Sequence, residues 1–98
     1  MHETRTLAEY ACSLRFEDIP APVIAKAKTL ILDQLGLMLG LSILPWSRVI
    51  QDYVRDWGAT RPEATVAHHG LRTRAELAAF ANSCFGHGFE MDDLYFAG

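Results

Sequence analysis

From Val23 to Met38, apolar residues return at intervals of three and four: Val23, Ala27, Leu30, Ile31, Leu35 and Met38. That spacing lays one continuous stripe along an α-helix, whose side chains come round about every 3.6 residues. Prolines fence the stripe on both sides. Pro22 suits the first helical turn, where proline lacks only an N–H that would have no partner, and Pro45 stands beyond the far end. Gln34 is the one polar member of the stripe. Near its end the stripe widens to most of the circumference, which predicts a central, buried helix. Gly36 and Gly40 lie four apart and would let another helix come close. The most apolar run, Leu35–Leu44, has ten residues, about half of what a bilayer requires. The chain is therefore expected not to enter a membrane.

Three more helical segments flank this one. Thr6-Leu7-Ala8-Glu9 has the pattern of a capping box, in which hydroxyl and carboxylate satisfy free amides at a helix start. Leu7, Tyr10, Ala11 and Leu14 follow on one face, until the prolines of RFEDIPAP stop the helix. Pro45 and Ser47 open a third helix with Val49, Ile50, Tyr53, Val54 and Trp57 on its apolar side and Gly58 placed as its C-cap. ATVAHHG reads as a short extended segment, an edge strand at most. A second capping box, Thr73-Arg74-Ala75-Glu76, starts a fourth helix with Leu77, Phe80, Ala81, Cys84 and Phe85 on its apolar face. Its many small residues suit close packing. The fold class expected is all-α, about four helices with short loops over residues 1–98.

Such a chain makes one small domain, or a fragment of a larger one, with a thin core. Half of its residues are hydrophobic, a generous share that implies apolar surface meant for another domain or subunit. The net charge of −3 is unevenly spread: residues 1–74 carry nine bases and eight acids, whereas residues 75–98 carry four acids and no base. Without a basic patch interleaved with aromatics, nucleic acid is excluded as a partner. Cys12 and Cys84 have no metal or CxxC spacing and read as reduced, core-type cysteines. With no targeting signal at the polar start, a cytoplasmic location is expected.

The acids of the last quarter gather in GHGFEMDDL, Gly86–Leu94. On a continued helix, His87, Glu90 and Asp93 would share one face and Asp92 would point away. Gly86 and Gly88 weaken a helix there, so a turn at a cavity wall is equally open. Three readings compete. A histidine among paired carboxylates can supply both acid and base near neutral pH. The same three side chains could bind a divalent cation, although HxxExxD is not a strong metal spacing. Or the acids are a solvated helix end, and His87 is packing. Two acids in a last turn oppose the helix dipole, which argues for function over accident.

The remaining candidates point elsewhere. His68-His69 reads as surface, Arg72 and Arg74 as a solvated loop, Tyr10 as packing, and Trp46 and Trp57 as core or interface anchors. No GxGxxG, P-loop or GxSxG is present, so nucleotide binding and serine hydrolysis have no support.

LAEYACSLRFEDIPAPVIAKAKTLILDQLGLMLG (Leu7–Gly40) resembles the opening of the MmgE/PrpD family, which includes 2-methylcitrate dehydratases and cis-aconitate decarboxylases. AELAAFANSCFGHGFEMDD (Ala75–Asp93) resembles the family's segment ending in HALDFDDT. The match runs in order through nearly the whole chain. His87 corresponds to the motif histidine, and Asp92 and Asp93 to its paired aspartates. Glu90 stands where aspartate is common, and Leu94 where many members have threonine.

The resemblance implies a large helical domain, a smaller α+β lid and an active site between them. It implies a lyase or isomerase of di- or tricarboxylic acids, homodimeric, with no organic cofactor and no metal. The substrate would be a small carboxylic acid. Glu90 and Asp93 would be site carboxylates, His87 would orient them or relay a proton, and Asp92 would be a structural acid that caps or pairs with an arginine. Members of the family are several times longer. The chain is thus expected to be a truncated N-terminal piece without the lid, inactive by itself. The alternative is a non-enzymatic helical module that self-associates or docks on a partner.

Overall fold

The computed structural model describes residues 2–58, 62–68, 70–92 and 94. Among them lie helices α1 (Glu3–Ser13), α2 (Ala21–Leu41), α3 (Ser47–Gly58) and α4 (Ala75–Gly86), a 3-10 turn at Phe16–Asp18, and strands β1 (Ala64–Thr65) and β2 (Arg72–Thr73). The architecture is all-α but for that minimal hairpin. Its strands pair antiparallel, Ala64 opposite Thr73 and Thr65 opposite Arg72. Gly70 turns the hairpin at φ 71°, a left-handed conformation that glycine adopts without a Cβ clash.

The core sits between α3, the hairpin and α4. Val54, Val66, Ala78, Ala81 and Phe85 are its fully buried members. Ala78, Ala81 and Phe85 recur on one face of α4, so the small residues let α3 and the hairpin approach while Phe85 fills the space between. Burying a valine or phenylalanine side chain is worth about 1.5–3 kcal/mol, so most of the cohesion lies here. Asn82 ties the hairpin to α4: its Oδ1 accepts from the Ala67 N–H at 2.8 Å and its Nδ2 donates to the Thr65 carbonyl at 3.1 Å. At the turn between α2 and α3, Gln51 Nε2 donates to the Ser42 carbonyl at 2.5 Å.

Several local expectations change. α1 begins at Glu3, so Thr6 lies inside the helix and its hydroxyl donates to the His2 carbonyl at 3.1 Å rather than capping. Thr73 is a buried strand residue whose hydroxyl donates to the Gly58 carbonyl at 3.0 Å. The N-cap position of α4 falls to Arg74, whose guanidinium pairs with Glu76. The first amide of the helix, on Ala75, instead donates to Glu63 Oε2 at 3.3 Å. A carboxylate from across the hairpin thus does what the local box was expected to do.

Helix α2 is not the buried centre. None of its residues is fully buried, because α4 is the one element that packs along it extensively. Its wide stripe divides. Leu30, Gln34, Leu37, Met38 and Leu41 are half-buried, whereas Ile31, Leu32, Leu35 and Leu39 face solvent. α1 is exposed throughout, and with it Tyr10 and Cys12. Gly36 and Gly40 face open space. Among the described residues, no helix is long and apolar enough to cross a membrane.

Candidate active site

α4 ends where its glycines begin. Gly86 is its last residue, packed so closely on α2 that a Cβ would collide with the Gln34 side-chain amide. The chain then turns twice. The His87 N–H donates to the Ser83 carbonyl and the Gly88 N–H to the Phe85 carbonyl, each at 3.1 Å, and the Glu90 N–H returns to the His87 carbonyl at 3.1 Å. The acidic cluster is therefore a turn and not a continued helix, and the helical juxtaposition of His87, Glu90 and Asp93 does not apply. Asp93 lies outside the described residues.

Glu90 has φ 52°, a left-handed backbone that side-chain-bearing residues adopt at a cost of about 1–3 kcal/mol. The turn is held from outside by Trp46, in the loop between α2 and α3. Its ring lies 5.4 Å from that of Phe89 at a 60° tilt. The sequence marked Trp46 as a core or interface anchor. It is half exposed, and what it anchors is the turn itself.

His87, Glu90, Asp92 and Leu94 line a recess of about 310 Å³, within the range of small-ligand pockets. At its wall His87 Nδ1 and Asp92 Oδ1 stand 2.8 Å apart. Asp92 pairs with histidine, where an arginine or a cap was expected; the turn has folded the two residues together where a helix would have separated them. The hydrogen bond from His87 holds the Asp92 carboxyl below the usual carboxylate range. A hydrogen bond from its own backbone N–H adds to this, partial burial opposes it, and the imidazole's charge contributes last.

An ionised Asp92 is an acceptor only, so a hydrogen bond between the two is donated by the Nδ1–H of His87. Together with the Glu90 carboxylate, the recess holds the parts for proton transfer. Two other recesses, beside Thr29, Leu32, Asp33, Gly36 and Leu37 on α2 and beside His2, Glu3, Thr6 and Leu7 at the start of α1, are each lined by one helix or its N-cap.

The other sequence candidates sit apart from this turn. His68 is half-buried in the hairpin instead of on the surface, and His69 lies outside the described residues. Arg72 reaches the Glu63 carbonyl at 3.4 Å. Among the described residues no group of three or more His, Cys, Asp or Glu side chains is arranged to hold a metal ion.

The model of the MmgE/PrpD N-terminal domain matches residues 5–98. The chain belongs to the MmgE/PrpD family. Among similar proteins, a cis-aconitate decarboxylase-like protein, oryM, of Aspergillus oryzae (strain ATCC 42149 / RIB 40) is 32% identical over 96 residues, 96% of this chain. Cis-aconitate decarboxylase of Aspergillus terreus is 31% identical over 94 residues, 94% of this chain. The chain spans 19% of the length of each of these relatives. No solved structure matches it. Within the MmgE/PrpD N-terminal domain, the recess at the end of α4 coincides with the stretch whose sequence resembles the family's histidine–aspartate motif.

Proposed function

We propose that the recess after α4 is one wall of the active site of an MmgE/PrpD-type lyase acting on di- or tricarboxylic acids, by loss of water or of carbon dioxide. The observation that carries this reading is the meeting of His87, Asp92 and Glu90 around one recess in a chain of this family. Such reactions remove or deliver a proton at a carbon next to a carboxylate. In this reading Glu90 exchanges that proton and His87 relays it. Asp93 is the second site carboxylate in this reading. The remaining walls, including cationic groups for the substrate carboxylates, come from other parts of a complete enzyme, and the 98 residues alone are inactive. The enzyme is a cytoplasmic homo-oligomer that uses no organic cofactor. Leu94 puts an apolar side chain at the recess where many members have a hydroxyl. That favours a substrate different from those of the named relatives.

The test is an assay of the native polypeptide that carries these residues against a panel of small di- and tricarboxylic acids, following water loss and carbon dioxide release. Turnover of a member of the panel is the expected result. A folded polypeptide that carries these residues together with the remaining walls of the site, and is inert toward the whole panel, would contradict the assignment.

One observation favours a second reading, a helical module that self-associates. The accessible surface is 7852 Å², against about 5,600 Å² for a compact monomer of this mass, and large apolar side chains such as Ile31, Leu32 and Trp57 stand exposed. Sedimentation across a range of concentrations tests it: a monomer at every concentration would exclude it.

A further inference from the structure

The pairing of Asp92 with His87 assigns Asp92 a role that the sequence did not suggest. We infer that Asp92 is a positioning residue, which holds the His87 imidazole in the Nδ1-protonated tautomer so that Nε2 is the nitrogen available for proton exchange in the recess. The inference rests on the acid–base reading above.

Four observations carry it. The Nδ1–Oδ1 separation of 2.8 Å is that of a charge-assisted hydrogen bond. Both residues line the same recess as Glu90. The Asp92 side chain is 31% exposed against 66% for His87, so the carboxylate is the more fixed partner and the imidazole the one that reaches solvent and ligand. The intervening turn, closed by the Glu90 N–H on the His87 carbonyl at 3.1 Å, sets the two side chains at this spacing through the backbone. A carboxylate that fixes the tautomer of a neighbouring imidazole is an established way to make one ring nitrogen the working base. A helix end with merely solvated acids would have no such preference.

The tautomer can be read directly by ¹⁵N NMR of histidine-labelled full-length chain, with no substrate present, at a pH well above the ordinary imidazole value of about 6.5. The expected spectrum has His87 predominantly protonated on Nδ1. In Asp92→Ala the ratio of Nδ1- to Nε2-protonated forms is expected to fall by roughly ten- to a hundredfold, the worth of a hydrogen bond to a charged acceptor. Asp92→Asn has the same shape without the charge, and is expected to lower the ratio while preserving the backbone spectrum. It supplies the comparison if the alanine variant does not fold.

A wild-type His87 predominantly protonated on Nε2 would overturn the inference outright, as would a ratio unchanged in a folded Asp92 variant. Because this readout needs no turnover, failure of the dyad is distinguishable from failure of the lyase assignment, which shows in the carboxylic-acid assay.

Discussion

At Glu90 a side chain that many positions would tolerate sits on a backbone that few residues prefer. Its φ of 52° suits glycine and disfavours any residue with a Cβ, most of all a β-branched one. The fold alone would be at least as well served there by glycine. Glu90→Gly is accordingly expected to leave stability within about 0.5 kcal/mol of the parent or raise it, as relief of strain offsets the extra freedom of the unfolded glycine. Glu90→Val is expected to destabilise further, because a β-branched side chain fits the left-handed region worse than glutamate does. Urea unfolding of the two variants checks this, and equal destabilisation by both would show that the backbone at Glu90 is not strained.

The elements show what sequence reasoning reaches and where it stops. Periodicity identified the four helical segments, because Pro22, Pro45 and the apolar spacing between them act locally. It could not say which part of α2's wide stripe is covered, because that depends on what lies alongside. The capping boxes failed for a related reason. Thr73 had a better partner in the Gly58 carbonyl, fifteen residues away, and Glu63 supplied the carboxylate from across the hairpin. At the candidate site, the residue types of His87 and Glu90 were legible. Their geometry was not, because Gly86 and Gly88 end the helix and the resulting turn brings Asp92 back to His87.

The seam between α3 and β2 gives the test at this scale. A Cβ on Gly58 would collide with the Thr73 hydroxyl and come within 3.2 Å of Leu77 Cδ1. Thr73 is buried and hydrogen-bonded to that same glycine's carbonyl, so it cannot swing aside without losing the bond. Gly58→Ala is expected to destabilise by about 1–3 kcal/mol, measured by thermal or denaturant unfolding. Gly86→Ala should cost less, because the Gln34 amide it would strike is the far end of a flexible side chain. The reverse order would contradict the packing described for both glycines.

For the whole molecule, two quantities agree. The Cα radius of gyration is 16.7 Å, where about 13 Å is usual for a compact domain of a hundred residues, and the accessible surface exceeds the compact expectation by roughly 2,000 Å². Among the large apolar side chains left exposed are Leu7 and Tyr10 on α1 and Ile31, Leu32, Leu35 and Leu39 on α2. Gly36 and Gly40 share that helix, and a Cβ on either meets nothing within 4 Å. In this chain, Gly36→Ala and Gly40→Ala are each expected to stabilise by about 0.5–1 kcal/mol through helix propensity. In a longer polypeptide that packs a helix against these glycines, the same changes are expected to destabilise. Paired unfolding measurements decide it, and stabilisation in both settings would argue that nothing packs closely there.

If the turn after α4 handles protons for a carboxylic-acid lyase, removing the basicity of Glu90 must slow the reaction. The measurement is the turnover of the native polypeptide and of its Glu90→Gln variant on the same acid, with circular dichroism of both. Glutamine keeps the shape of the side chain and removes its basicity. The expected result is a loss of roughly 10²–10⁴-fold in kcat, the usual contribution of a general acid–base group, at an unchanged fold. Unaltered turnover in a folded Glu90→Gln variant would contradict it and take Glu90 out of the chemistry.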